Sequence, residues 1–572
     1  MGFLQPNLPV VDHEAWTRLP REERLEPLAR HFALHGFGSP DVLVVFYAVK
    51  IVVYLALGWC FVMTTPGIDG WFDVASWWSS PAVFFKFAFW TMLFEVLGFG
   101  CGFGPLNLRF VPPMGSFLYW LRPGTIRLPP WADRNPIAGG DTRTVIDVAL
   151  YAGLIAALLV TLVGSMPRWE ILAVLGCLAL IGLRDQTIFL AARGEVYGSL
   201  AVAALFPATD VVTAAKFVMV IIWFSAAASK LNRHFPFVVA AMMANGPLIR
   251  SSSIKAKLWR DYPNDLRPGP LAAMLAHGGT VVEFAAPAVL LFSGGGWVTT
   301  VAAVVMIGFH LTILCSFPMG VPLEWNVFMI IGIVVLFVGN PGLHLSSLSA
   351  PWLLGLLVVG LVSVVAYGNI RPDRVSFLPS MRYYAGNWAA TFWCFRGDSL
   401  DRFEADVTAA SLLPHRQLEK VYGSAEDAAI PLHMGYVFRG FHTHGRALWT
   451  LVDEVCEADE VCGADDDVLV LDGELVAGTA LGWNFGDGHL HDEQLIAALQ
   501  RRCHFGPGDV RIVFLESQPF HRSTQQYRLI DAATGLIGSG YVEVSDMIDR
   551  QPTAADVPLH RTRPGPAHGS SS

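Results

Sequence analysis

The chain has 572 residues, of which 53% are hydrophobic and only 15% charged, with 37 Phe and 18 Trp. Soluble domains carry nearer a quarter charged residues, so this balance excludes a disordered chain, a disulfide-stapled secreted scaffold and an ordinary cytosolic enzyme, and reads as a multi-pass membrane protein. The net charge of −9 is uneven: residues 1–372 hold 23 Lys+Arg against 20 Asp+Glu, and residues 373–572 hold 16 against 28. The acidic C-terminal part and the lack of a basic stripe argue against nucleic acid as a partner.

Residues 1–41 contain Pro6, Pro9 and Pro20, with Arg18, Arg21, Arg24 and Arg30. They lack the apolar core of a cleavable signal peptide, so the first hydrophobic helix is expected to act as an uncleaved anchor. A bilayer core takes about 20 apolar residues per helix. That ruler predicts nine spans, near 42–63, 82–103, 144–164, 170–191, 209–230, 270–293, 297–316, 322–339 and 352–370. The stretch 196–207 is too short by the same ruler and is expected to be partial or re-entrant. Two intervening stretches read as interfacial: 105–143, with Tyr119-Trp120-Leu121-Arg122-Pro123, and 235–260, with Lys255, Lys257 and Arg260. Gly98, Gly100, Gly102 and Gly104 before Pro105 predict an unwound helix end lining a cavity, or close helix packing through small residues.

The loop 64–81 has no Lys or Arg, whereas the segments on either side of its two helices are Arg-rich. The positive-inside rule then places the N-terminus in the cytoplasm. Nine spans put the C-terminal domain outside, at the cost of a basic 231–269 loop on the outer side; a tenth crossing at 196–207 would remove that conflict and make the domain cytoplasmic. In the C-terminal part, Asp467–Leu471, Arg511–Leu515 and Gly540–Val544 read as strands, and Leu400–Ala410, His444–Glu457 and Asp492–Cys503 as helices. The expected fold class is an α-helical multi-pass membrane domain (42–372) plus a C-terminal α/β or α+β extracytoplasmic domain (373–550). A cytoplasmic N-terminal segment (1–41) precedes them and a disordered tail (551–572) follows.

Charged groups at membrane depth are functional candidates because they are costly there. Lys50 or Lys86 is expected to pair with Glu95, and the adjacent Arg184 and Asp185 with each other. Lys230 ends a hydrophobic helix, followed by Leu231-Asn232-Arg233-His234. It can snorkel, bind an anionic head group together with Arg233, or act as a base if desolvated. His277, Glu283 and His310 fall on the next two helices. His277 and Glu283 are six residues apart, which does not suit a local metal site. Tyr119, Trp120, Arg122 and Arg127 suit an interfacial anchor or a glycolipid head-group site. Trp388, Trp393, Trp483 and Phe485 read as an apolar core or as a groove for an acyl chain. His442, His444, His489 and His491 sit at alternate positions, without the carboxylate or thiolate arrangement of a zinc site. No metal or cofactor is expected. A Cys456–Cys462 disulfide is an option on an extracytoplasmic side. Nucleophile-elbow, Walker A and dinucleotide-binding signatures are absent from the sequence.

The run Lys230-Leu231-Asn232, with His277, Glu283 and His310, resembles the membrane domain of vitamin K-dependent γ-carboxylases and the wider superfamily that shares it. That resemblance implies a carboxylase-like core, a catalytic base at Lys230 and an extracytoplasmic placement for it. Ser229 and Asn232 stand where the carboxylases have lysine and aspartate. Longer strings, Met1–Asp12, Cys101–Asn107 and Tyr119–Pro130, resemble an actinobacterial family of membrane proteins of unknown function, whose members include a mycobacterial polar growth factor. This second resemblance implies glycolipid handling alongside the resistance-nodulation-division transporter that exports trehalose monomycolate, in the plasma membrane. The expected function is glycolipid binding and trafficking in cell-envelope biogenesis. The alternative is an integral membrane enzyme with Lys230 as base and His277, Glu283 or His310 assisting.

Overall fold

The computed structural model describes residues 3–68, 70–100, 115–132, 134–316, 323–457 and 468–563. Among the described residues, six helices are long and apolar enough to cross a membrane: Val42–Val62, Val145–Leu162, Val211–Ser229, Pro270–Phe292, Gly296–Ser316 and Pro351–Ile370. The three other expected spans are helical but shorter. Pro81–Val96 has 16 residues, nearly all buried; Arg168–Arg184 has 17; Leu323–Gly332 continues into a π-helical turn, Ile333–Val338. The Gly98–Pro105 break lies mostly outside the described residues, as does Cys101–Asn107.

The short stretch after residue 193 connects opposite faces of the helical bundle. At one end the Arg193 guanidinium lies 5.2 Å from the Tyr383 ring, beside the C-terminal domain. At the other, Asp210 accepts hydrogen bonds from the backbone N–H groups of Ser349 and Ala350. In between run a π-helical turn, Gly194–Gly198, and the helix Ser199–Ala204. The N-terminal helix and the C-terminal domain meet on one face of the bundle.

That shared face corrects the expected separation of N-terminal segment and C-terminal domain. The helix Arg21–His35 packs on Ala425–Phe441. Arg21 pairs with Asp453 and sits 4.8 Å above the Trp449 ring, while Phe32 stacks on Phe441 at 5.0 Å. The 235–260 stretch is not a loose interfacial segment either. Its helix Phe235–Asn245 is largely buried and joins the same seam, where Trp259 meets the Phe441 ring at 4.8 Å and donates its indole N–H to the Ala33 carbonyl. Three segments distant in sequence thus share one apolar core.

The C-terminal part holds a six-stranded antiparallel sheet in the order β4-β3-β5-β6-β7-β8, a two-stranded hairpin, β1 (Trp259–Asp261) and β2 (Asp265–Pro268), having come earlier. Its strands are β3 (Ala390–Arg396), β4 (Val468–Asp472), β5 (Val510–Leu515), β6 (Thr524–Asp531), β7 (Gly535–Glu543) and β8 (His560–Arg563). Central strands β3 and β5 are buried on both faces, because helices cover both sides: Thr443–Glu457 packs on β3 and β5, Gly473–Leu481 on β3. The arrangement is α+β. Order extends beyond the expected boundary at 551, since β8 pairs with β7.

The described part of the 105–143 stretch docks this domain onto the bundle. Tyr119 O–H and Trp120 N–H donate to the carbonyls of Ala480 and Leu481, and the Gln494 amide donates to the Pro129 carbonyl. Replacing Trp259 by Ala is expected to lower unfolding stability in detergent by about 3–5 kcal/mol, the usual cost of deleting a buried tryptophan. Trp352, 65% exposed on a membrane span, should change stability by no more than about 0.5 kcal/mol on the same substitution. Thermal unfolding of the two variants checks this.

Candidate functional site

Helix periodicity assembles a cavity on the C-terminal-domain side of the bundle. Leu275, Gly279, Val282 and Glu283 fall on one face of Pro270–Phe292, and Val305, Phe309, Thr312, Ile313 and Ser316 on one face of Gly296–Ser316. Phe235, Val238, Val239, Met242 and Met243 line it from the short buried helix, Trp325, Asn326 and Met329 from Leu323–Gly332, and Tyr383 and Tyr384 from the linker to the C-terminal domain. Its volume is about 410 Å3, within the usual range for small-molecule sites. Leu275, Val305 and Thr312 are exposed on the apolar outer surface of the spans, so the cavity reaches the lipid-facing side.

Lys230 ends the helix Val211–Ser229 as its C-cap. Its ammonium donates to the Glu283 carboxylate at 2.5 Å, with side chains only 9% and 5% exposed. The rings of Phe235 and Phe309 lie 5.5 and 5.9 Å from the same nitrogen, near enough for cation–π attraction. Asn232 shapes the turn: its side-chain oxygen accepts from the backbone N–H groups of His234 and Phe235, and its amide donates to the Ala385 carbonyl at 3.0 Å. It therefore starts the next helix and ties that turn to the linker carrying Tyr383 and Tyr384.

His310 joins the cavity wall but is fully engaged. Trp223 Nε1–H donates to His310 Nε2 at 3.1 Å, and His310 Nδ1 bonds Asn326 Oδ1 at 2.8 Å. Those partners select a neutral ring with its proton on Nδ1. His277 is exposed on the outer surface of its helix and does not line the cavity. The structure thus brings Lys230, Glu283 and His310 together and leaves His277 apart.

The expected lipid-contact residues scatter. Tyr119 and Trp120 are buried against the C-terminal domain, so they are no longer free for a head group. Arg127 is buried too, donating to the carbonyls of Thr142 and Arg184 and lying 3.4 Å from Asp147. Arg122 and Arg233 are exposed outside the cavity. Trp388 and Trp483 are buried in the C-terminal domain, where Trp388 packs on the rings of His442 and His444. Sequence reasoning missed Tyr383, Tyr384 and the Phe235–Asn245 wall. An adjacent aromatic pair in the linker after the last span was the available signal.

The membrane charges pair differently from expectation. Lys50 pairs with Glu324 at 3.1 Å. Arg184 pairs with Asp147 and Asp185 with Arg143, both at 2.6 Å, so the neighbours Arg184 and Asp185 do not compensate each other. Cys456 carries a free thiol; Cys462 lies outside the described residues.

In the C-terminal domain, burial and then Arg439 lower the His442 pKa to about 3 and hold that of His444 far below its ordinary value. Among the described residues no His, Cys, Asp or Glu group is arranged to hold a metal ion. His489 behaves oppositely. Burial would lower its pKa, but the Glu516 carboxylate 3.3 Å away offsets this and raises it to about 9.

A multi-pass membrane bundle with an antiparallel sheet domain docked on one face, and an apolar cavity between its helices, is the class of protein these features define. The chain belongs to the family described as transmembrane protein of unknown function (DUF3556), whose model matches residues 1–562. It matches no curated protein and no solved structure.

Two predictions follow from these pairs. Lys230→Met alone strands a buried carboxylate and is expected to cost about 3–5 kcal/mol, whereas the double variant Lys230→Met/Glu283→Leu should recover most of that loss; a thermal double-mutant cycle reads it. For His489, whose folded pKa is raised from 6.5, the stabilisation is complete below pH 6.5 and is lost as pH rises through about 9. Glu516, lowered below 4.5 because His489 outweighs its burial, contributes above pH 4.5 and loses its contribution as pH falls. The Tm–pH curve should therefore decline from pH 6.5 to 9, and Glu516→Gln should flatten that decline.

Proposed function

We propose that this protein binds and moves a membrane lipid through the Lys230–Glu283 cavity without chemically changing it. The cavity itself carries this reading: its walls are mainly apolar, its mouth reaches the lipid-facing surface, and one charged pair stands inside. An acyl chain would supply affinity at about 0.8 kcal/mol per buried CH2. Lys230 and Glu283 would select the polar end, the ammonium for an accepting hydroxyl oxygen and the carboxylate for a donating hydroxyl. The sequence resemblance to the actinobacterial membrane family narrows the lipid to a mycolate glycolipid, trehalose monomycolate. It also gives the partner as the resistance-nodulation-division exporter and the setting as cell-envelope biogenesis and polar growth.

The second reading is an integral membrane enzyme of the carboxylase-like superfamily with Lys230 as base. The convergence of Lys230, Glu283 and His310 on one cavity favours it. The hydrogen bonds of His310 weigh against it, since both ring nitrogens are engaged.

Orientation belongs to the same proposal. The turns opposite the C-terminal domain, 63–80, 163–167, 205–210, 293–295 and 339–350, contain no Lys or Arg. Both termini and the basic 115–143 and 231–269 segments share the other face. By the positive-inside rule that face is cytoplasmic in the plasma membrane, which reverses the side first expected for the C-terminal domain and has the lipid collected from the inner leaflet.

Mass spectrometry of lipids retained in mild detergent tests the lipid reading. Ile313→Trp, which fills the cavity, should cut retained lipid at least tenfold, while Lys230→Met/Glu283→Leu should keep an apolar lipid and lose head-group preference. An empty wild-type protein would overturn the reading; loss of cellular function in the double variant with lipid retained would favour the enzyme. For orientation, Val421→Cys should resist an impermeant thiol reagent in intact cells and Trp71→Cys should react, and labelling of Val421→Cys would overturn it.

A further inference from the structure

A second pocket, separate from the lipid cavity, lies where the first membrane span begins. Its volume is about 290 Å3. One wall is Leu43, Val44 and Tyr47, from the first two turns of Val42–Val62; the others come from the N-terminal helix and from the turn after Phe235–Asn245. It therefore sits at the depth of lipid head groups, on the face that carries both termini.

Its polar lining is unusual. Lys255 is 3% exposed, and its ammonium donates to the Ala244 carbonyl at 2.5 Å with no carboxylate within ion-pair distance among the described residues. A buried ammonium without a counter-ion is costly, and proteins normally provide one. Asn245, 6% exposed, uses its side-chain oxygen to accept from the Phe37 N–H, but its amide nitrogen has no partner. Two buried donors thus line one small pocket, Lys255 without a counter-ion and the Asn245 amide without an acceptor. The single carboxylate of the lining, Asp41, is matched by Arg250 at 3.1 Å, so the Lys255 charge is left over. His35 and Tyr47 are the remaining titratable groups of the lining; the His35 pKa is lowered, chiefly by burial.

We propose that this pocket binds the phosphate of an anionic phospholipid, with the phosphate oxygens accepting from Lys255 and Asn245 and the acyl chain leaving along Val44 and Tyr47. The apolar wall at the start of a span favours a lipid over free phosphate, which would have no use for it. On the orientation proposed above, this face meets the cytoplasmic leaflet, whose anionic lipids attract basic segments.

The test uses the purified full-length protein in a neutral detergent, with thermal unfolding as readout. Phosphatidylglycerol in mixed micelles is expected to raise the Tm, while phosphatidylcholine and inorganic phosphate leave it unchanged. Lys255→Met should weaken phosphatidylglycerol binding about tenfold or more, as loss of a charge-assisted hydrogen bond does. Val44→Trp keeps the ammonium but fills the pocket, and should have the same effect even if Lys255→Met does not fold. The proposal is overturned if inorganic phosphate stabilises as well as phosphatidylglycerol, or if phosphatidylglycerol shifts Val44→Trp as it shifts the wild type.

Discussion

The seam where Phe32, Trp259 and Phe441 meet holds the rest of the molecule in place. It joins an N-terminal helix, a turn between membrane spans and a C-terminal helix. Buried aromatics contribute more per residue than any other core side chain, so this contact fixes both ends of the chain on one face. It also sets the position of Phe235–Asn245. Ala240, Ala241 and Ala244 of that helix belong to the seam, while Phe235, Val238 and Met242 line the cavity. One short helix is therefore wall to both, and a shift at the seam would be felt at Lys230.

Charge follows the same logic of enclosure. Within the bundle, Lys50 with Glu324, Arg143 with Asp185 and Arg184 with Asp147 are neutralised across elements rather than along the chain. Lys50–Glu324 and Arg184–Asp147 each link one helix to another, and Arg143–Asp185 ties a loop to a helix end. Removing one partner would leave an unmatched charge in a medium that solvates it poorly. The Lys230–Glu283 pair has the same form but faces a cavity, and that difference in surroundings, not the pair itself, makes it a site.

The long apolar helices were legible in the sequence because a bilayer demands an uninterrupted run, and among the described residues six of the nine predicted stretches hold helices long and apolar enough to cross. What the ruler could not read was the short stretch after Arg193, where a π-helical turn and a six-residue helix are enclosed by neighbouring helices. The same blindness affected Phe235–Asn245. It is apolar around its whole circumference because both sides are buried, and from sequence this resembles a surface-lying segment. Strand β3 was missed for a parallel reason: with helices on both sides of the sheet, Ala390–Phe395 lacks the alternation that marks a half-exposed strand. Lys230, Glu283 and His310 were legible as costly groups at depth. That His277 lies outside the cavity was not, because rotation of a helix about its own axis is set by packing along its whole length.

A cavity built around an ion pair makes a particular kind of binding site. The desolvation of Lys230 and Glu283 is already offset by their contact, so an entering apolar chain meets no unmatched charge and displaces little ordered solvent. A polar head group, by contrast, must compete with a 2.5 Å contact. It succeeds only if it offers both an acceptor for the ammonium and a donor for the carboxylate, because satisfying one alone strands the other. Hydroxyl-rich heads offer donors and acceptors side by side; a simple carboxylate or quaternary amine does not. On the proposed lipid-binding reading, selectivity for a sugar-bearing head would therefore need no further residue than the pair itself, with the aromatic rings of Phe235 and Phe309 flanking the ammonium and limiting how the head group approaches.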